Sequence, residues 1–220
     1  MSPLSVFARE ADRAGMSNLM NLQVERGVQG DHLNNVISEA TRVGAPEGLL
    51  NMLSEMSNDQ TIFTVRRLAM DAAQVTHHQG RMVQQLRGGS SAQDTAAAQR
   101  ALNFAVSSGT KIMTEQSLNH QALSNIHAEL VRISGGSTSA PLARMVSEMI
   151  ADEQVFAARR ALVAVKNVEA LVSHAAQHLS DSQIERVFVD QPHLNPLSGL
   201  RGGDAQFTRL AALAATSVNV

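Results

Sequence analysis

Residues 52–75 laid on residues 145–168, a shift of 93 positions, match at Met52, Ser54, Glu55, Met56, Asp59, Phe63, Arg66, Arg67 and Val75. Their partners are Met145, Ser147, Glu148, Met149, Asp152, Phe156, Arg159, Arg160 and Val168. That is nine identities in 24 ungapped positions, where roughly two would arise by chance. Upstream, Asn35, Glu39 and Arg42 meet Asn125, Glu129 and Arg132, with Val36 and Val43 against Ile126 and Ile133, after a loop three residues longer in the second copy. Downstream, Gln84 and Leu86 meet Gln177 and Leu179; more loosely, Phe7-Ala8 meets Phe104-Ala105 and Met20 meets Met113. Two amphipathic helices align at apolar positions by convergence, but that does not produce the Ser-Glu-Met, Asp and Arg-Arg matches. The pattern reads as a tandem duplication of a unit near 90 residues.

A duplicated unit must fold from what its residues prefer. Hydrophobic residues make up 44% of the 220, yet aromatics only 3%, and Trp, Tyr and Cys are absent. The apolar mass is therefore Ala, Leu, Val, Ile and Met, rich in strong helix formers and poor in the aromatic residues of sandwiches and barrels. Gly and Pro fall in clusters at 27–30, 44–46, 87–91, 135–137 and 192–203. Between them, helices are expected over about 3–25, 31–43, 47–86, 93–133, 141–179 and 204–216, with Pro46 and Pro141 in first turns, where a missing N–H is harmless. No segment alternates with period two, so no sheet is expected. Leu49, Met52, Leu53 and Met56, then Ile62, Val65, Leu68, Ala69, Ala72 and Val75, trace an apolar stripe. The second copy repeats it through Leu142, Met145, Val146 and Met149, then Val155, Ala158, Leu162, Val165 and Val168. The expected fold is all-α: an elongated helical bundle of two tandem repeats, 1–89 and 90–182, followed by an irregular segment and short C-terminal helix over 183–220. A period of 90 is too long for the short solenoid repeats.

Absent cysteine excludes a disulfide scaffold, a Cys-ligated zinc or iron–sulfur site and a thiol nucleophile. Eighteen basic and 20 acidic residues give a net charge of −2 without a like-charged run, so nucleic acid is not an expected partner. The first ten residues lack the charged and apolar regions of a Sec-type signal, and no apolar run is long enough to span a membrane. The expected location is cytoplasmic, or exported without a cleaved Sec signal.

Catalytic motifs are not found. His174 and His178 share a helical face at a chelating spacing, but Ala175-Ala176-Gln177 lacks the glutamate of the helical zinc-protease motif. His120, His127, His77 and His78 supply no evident third ligand. The glycine pairs lack the Lys-Ser/Thr of a phosphate loop, and there is no Gly-x-Ser-x-Gly elbow. The chain is read as a non-enzyme without cofactor or metal.

The duplicated residues themselves are the interface candidates. Arg66-Arg67 and Arg159-Arg160 follow Glu55, Asp59, Glu148 and Asp152 by one to three turns. They read either as a solvated face or as a contact in which the acidic and basic ends of one segment pair with the opposite ends of a neighbour. Phe63 and Phe156, two of six aromatics, are expected to anchor the core. Met52, Met56, Met145 and Met149 are adaptable enough for helix-in-groove contacts.

Met149-Ile150-Ala151-Asp152-Glu153-Gln154-Val155-Phe156-Ala157-Ala158-Arg159, preceded by Ser147-Glu148, resembles the C-terminal helix of the axial (rod and inner-rod) proteins of flagellar and type III secretion systems. In that family an acidic-Met-Ile segment leads, seven residues after the Met, to Phe or Tyr followed by Ala and Asn. Glu153 and Arg159 stand here where Gln and Asn are usual, and the first copy keeps Met56 and Phe63 but not the Ile or the Ala. The resemblance implies a structural, self-assembling subunit of a secretion or flagellar-type assembly, with other copies of itself and other subunits as partners. The alternative is a soluble helical binding or chaperone-like module for another protein.

Overall fold

The computed structural model describes residues 1–189 and 191, and among these it is all-α, with helices α1 (Pro3–Arg42), α2 (Glu47–Gly88), α3 (Ser91–Ile133), α4 (Pro141–His178) and α5 (Asp181–Val187). Helices α1, α3 and α5 start where a side chain satisfies first-turn N–H groups. Ser2 Oγ accepts from the Ser5 N–H at 3.1 Å, with Pro3 as first helical residue. At α3, Ser90 Oγ accepts from the Gln93 N–H at 3.2 Å, and Gln93 Oε1 accepts from the Ser90 N–H at 3.2 Å, a capping box that Ser180 and Gln183 repeat at α5. Helices α1, α2 and α3 stop where glycine permits a left-handed turn. The Ala45 N–H reaches back to the Ala40 carbonyl at 2.9 Å across Gly44 (φ +68°), and the Gly136 N–H reaches the Val131 carbonyl at 2.9 Å across Gly135 (φ +68°).

The helix break expected at Gly27–Gly30 does not occur: α1 runs unbroken from Pro3 to Arg42. Each glycine costs a helix about 1 kcal/mol relative to alanine. The residues that hold these turns, Leu22, Glu25, Arg26, Gln29 and Leu33, are all buried, and their packing outweighs that cost. At the other end, the segment expected to be irregular from 183 begins as helix α5, and its Ile184 and Val187, with Phe188, are buried. The helix expected over 204–216 lies outside the described residues.

The chain forms two compact units, each built from stretches of the same four long helices. Unit 1 takes Met1–Leu22, Ala72–Ile112 and the described residues from Ala161 on; unit 2 takes Gln23–Asp71 and Met113–Arg160. This division differs from 1–89 and 90–182, since each unit draws on both segments.

Unit 1 has a core of small residues. Ala8, Ala11, Ala97, Ala98, Ala101 and Ala105 are fully buried, and the Asn18 side-chain amide donates to the Ala105 carbonyl at 3.1 Å. Its aromatic anchor is Phe7 against Phe188, ring centroids 6.0 Å apart. Unit 2 has a conventional apolar core toward its two helix-connecting turns: Leu33, Val36 and Ala40 of α1, Leu49 and Leu53 of α2, Leu123, Ile126 and Leu130 of α3, and Ala143 and Val146 of α4.

Phe63 and Phe156 belong to neither core. They are 53% and 46% exposed, and Ile62, Val65, Leu68, Ala69, Ala72, Val155, Ala158 and Leu162 of the expected stripe are exposed as well. The reason is phase. From Leu53 and Met56, steps of three and four lead to Gln60, Thr64, Arg67 and Asp71, which are the inward positions of α2. Ile62 lies six residues after Met56, about 240° further round the helix, so the resumed stripe lies on the outer face.

Because a Cβ on Gly27 or Gly30 meets nothing within 4 Å, Gly27→Ala with Gly30→Ala should stabilise the protein by about 1–2 kcal/mol. Thermal unfolding followed by circular dichroism measures this, and a lower melting temperature would contradict it.

Candidate functional site

The inward positions in the upper half of unit 2 are charged. Glu25, Arg26 and Gln29 of α1, Asp71 of α2, Glu115 and Asn119 of α3 and Glu153 of α4 are all buried, Glu25 completely. Burying an ion is costly unless it is paired and hydrogen-bonded, and the pairs are present. Arg26 lies between two helices: its Nη1 donates to Asp71, and its Nε and Nη2 donate to Glu115 Oε1 at 3.4 and 3.2 Å. The other oxygen of Glu115 accepts from Arg67 at 3.1 Å. Arg160 donates to Glu25, whose Oε1 also lies 3.4 Å from the Asn119 amide.

The matched arginines are used reciprocally. Arg67, in the first segment, pairs with Glu115, and Arg160, in the second, pairs with Glu25, which lies 90 positions before Glu115. Each guanidinium also stands over the aromatic ring four residues before it, Arg67 over Phe63 at 5.8 Å and Arg160 over Phe156 at 5.6 Å. Burial recurs at the same spacing: Leu22, Glu25, Leu33, Val36 and Ala40 of α1 and Ile112, Glu115, Leu123, Ile126 and Leu130 of α3 are all buried. The looser alignment of Phe7-Ala8 with Phe104-Ala105 does not share this spacing.

Four carboxyls, Glu25, Asp71, Glu115 and Glu153, face three guanidiniums. Glu153 is the carboxyl without an arginine contact: its Oε1 accepts from Asn119 at 2.9 Å, and its Oε2 lies 3.4 Å from His32 Nδ1, neither of those two atoms forming a hydrogen bond. Burial, and then the nearby Glu25 carboxylate, push Glu153 up to about 7. Burial pushes His32 below its usual value, against the opposing pull of Glu25, Asp31 and Asp152. The layer thus holds one carboxyl, Glu153, whose proton is labile near neutrality. No three His, Asp or Glu side chains converge as metal ligands among the described residues.

The interface candidates are sorted by depth. Met52, Met56, Met145 and Met149 are half-buried against the apolar core of their own unit. Arg67 and Arg160 point inward to the ion pairs, whereas Phe63, Arg66, Phe156 and Arg159 are exposed. In unit 1, His174 packs on Phe7 and its ring centroid is 4.5 Å from that of His178. Sequence reading missed Glu25, Arg26, Asp71, Glu115, Asn119 and Glu153. A signal was available: these residues occupy the continuing three-four phase of their helices, where apolar residues would be expected.

Arg26→Met removes the cation between Asp71 and Glu115 and should cost about 3–5 kcal/mol in urea unfolding. Arg66→Met, on the exposed face, should stay within about 0.5 kcal/mol; equal effects would contradict the assignment. A carboxyl raised from 4.5 to about 7 holds its proton more tightly in the folded chain, so its contribution to stability falls as pH rises between those values and stays low above them. His32, lowered from 6.5, acts in the opposite sense below 6.5. Glu153→Gln keeps an acceptor for Asn119 and needs no proton. Its melting temperature should therefore exceed that of the parent at pH 8, with the difference closing toward pH 4.5; a pH-independent difference would contradict the buried-proton account.

No protein-family model, curated protein or solved structure matches the chain.

Proposed function

We propose that this chain is a structural, self-associating helical protein, an axial subunit of a bacterial secretion or flagellar-type assembly. The observation that carries the self-association is the outer face of α2 in unit 2. Ile62, Phe63, Val65 and Met70 are 49%, 53%, 60% and 62% exposed within three turns, and Val155 and Phe156 repeat the feature on α4. Large apolar side chains concentrated on one helical surface mark a contact site, whereas single exposed ones do not. The matching of segments about 90 residues apart is read as duplication, which supplies each copy with equivalent surfaces. The axial assignment rests on the resemblance of Met149–Arg159, whose Phe156 lies on this surface.

A second reading, a binding module for another protein, is favoured by a different feature. An open apolar recess of about 340 Å³ lies where the connecting turns of unit 2 meet, lined by residues including Leu49, Leu130, Ile133, Pro141 and Leu142. It is wide enough for an apolar side chain of a partner.

The two readings separate on mass. Sedimentation velocity of the full chain should show a mean mass that rises with concentration, and Ile62→Asp with Val155→Asp should lower it at unchanged helicity. A monomer at high micromolar concentration would leave the binding-module reading in its place.

A further inference from the structure

The apolar outer faces carry charge in a fixed order. On α2 the sequence is Asp59, two residues, Ile62-Phe63, two residues, Arg66; on α4 it is Asp152, two residues, Val155-Phe156, two residues, Arg159. The acid and the base are seven residues apart, hence two turns and about 10.5 Å along the axis on the same side of the helix, with the apolar pair midway. All four charged residues are exposed, and none forms an ion pair within the chain among the described residues. This contrasts with the neighbouring Arg67 and Arg160, which are committed to Glu115 and Glu25.

Such a pattern is complementary to itself in one orientation only. Parallel pairing of two stripes sets Asp against Asp and Arg against Arg, which is repulsive across an apolar contact. Antiparallel pairing about the midpoint of the apolar pair sets each Asp against an Arg and the apolar residues against each other. We propose that the occupant of each stripe is the equivalent stripe of a second copy of this chain, packed antiparallel, with Asp59 facing Arg66 or their counterparts Asp152 and Arg159. The proposal rests on the self-association reading and specifies its register.

Valence follows from the repetition. Each chain has two such stripes, so one contact leaves the other open, and association continues from copy to copy until a ring closes or a filament grows. Disabling one stripe leaves a chain that can only pair.

Charge reversal in the full-length protein tests the register. Analytical ultracentrifugation of the unaltered chain should show species larger than a dimer. Arg66→Asp alone should stop assembly at the dimer. Arg66→Asp with Arg159→Asp should raise the half-assembly concentration by at least about tenfold, and Asp59→Arg with Asp152→Arg should do the same. Mixing those two double variants, one acidic and one basic on both stripes, should restore assembly, as should all four reversals in one chain. If the unaltered chain assembles but the double variants assemble equally well, or their mixture gains nothing, the antiparallel register is wrong and the self-association reading stands. If the unaltered chain stays monomeric, both fall.

Discussion

Arg26 sits between Asp71 and Glu115 with every described heavy atom of its fork committed to a carboxylate, and Glu115 in turn holds Arg67. Three helices meet on this one network, and a fourth joins through Arg160 and Glu25. A buried ion pair contributes little net stability against an apolar alternative, because desolvation offsets the Coulomb attraction. Its effect is on specificity: a one-turn slip of any of these helices would leave an ion buried without a partner. The apolar residues of Leu, Ala and Val around it would tolerate such a slip far better.

The polar interior has a consequence for the surface. A helix has one set of inward positions, and in α2 between residues 60 and 71 that set is Gln60, Thr64, Arg67 and Asp71. The apolar residues of the same stretch are then outside. Arg67 and Arg160 join the two sides, since each holds a carboxylate within and stacks over an exposed phenyl ring. The ion layer and the outer stripe are two faces of one arrangement, and both occur in each of the matched segments.

The helical class, three of the four long helices and the turns at residues 43–46, 89–90 and 134–140 were readable from Gly, Pro and apolar spacing, because capping and helix propensity act over a few residues; the first long helix was read as two. That Asp59, Phe63, Arg66 and Arg67 recur at matched positions was readable from the sequence alone. Their depth was not. Phe63 and Phe156 were expected in the core because aromatic residues are usually buried, but each lies one position before an inward residue, Thr64 or Ala157, and so about 100° round the helix from it, and both are exposed. Arg67 and Arg66 are adjacent in sequence and about 100° apart on the helix, so one enters the core while the other faces outward.

The sequence by itself determined that this chain is helical, where its long helices turn, and which residues recur at matched positions, since all three follow from short-range preferences and direct comparison. Only the tertiary structure decided that Gly27 and Gly30 lie within one continuous helix, that Glu25 and Glu115 answer Arg160 and Arg67, that Glu153 is the carboxyl left over, and that Phe7 and Phe188 rather than Phe63 and Phe156 fill a core. Those outcomes depend on which helices pack together across sequence separations of 48, 135 and 181 residues. No local pattern carries that information.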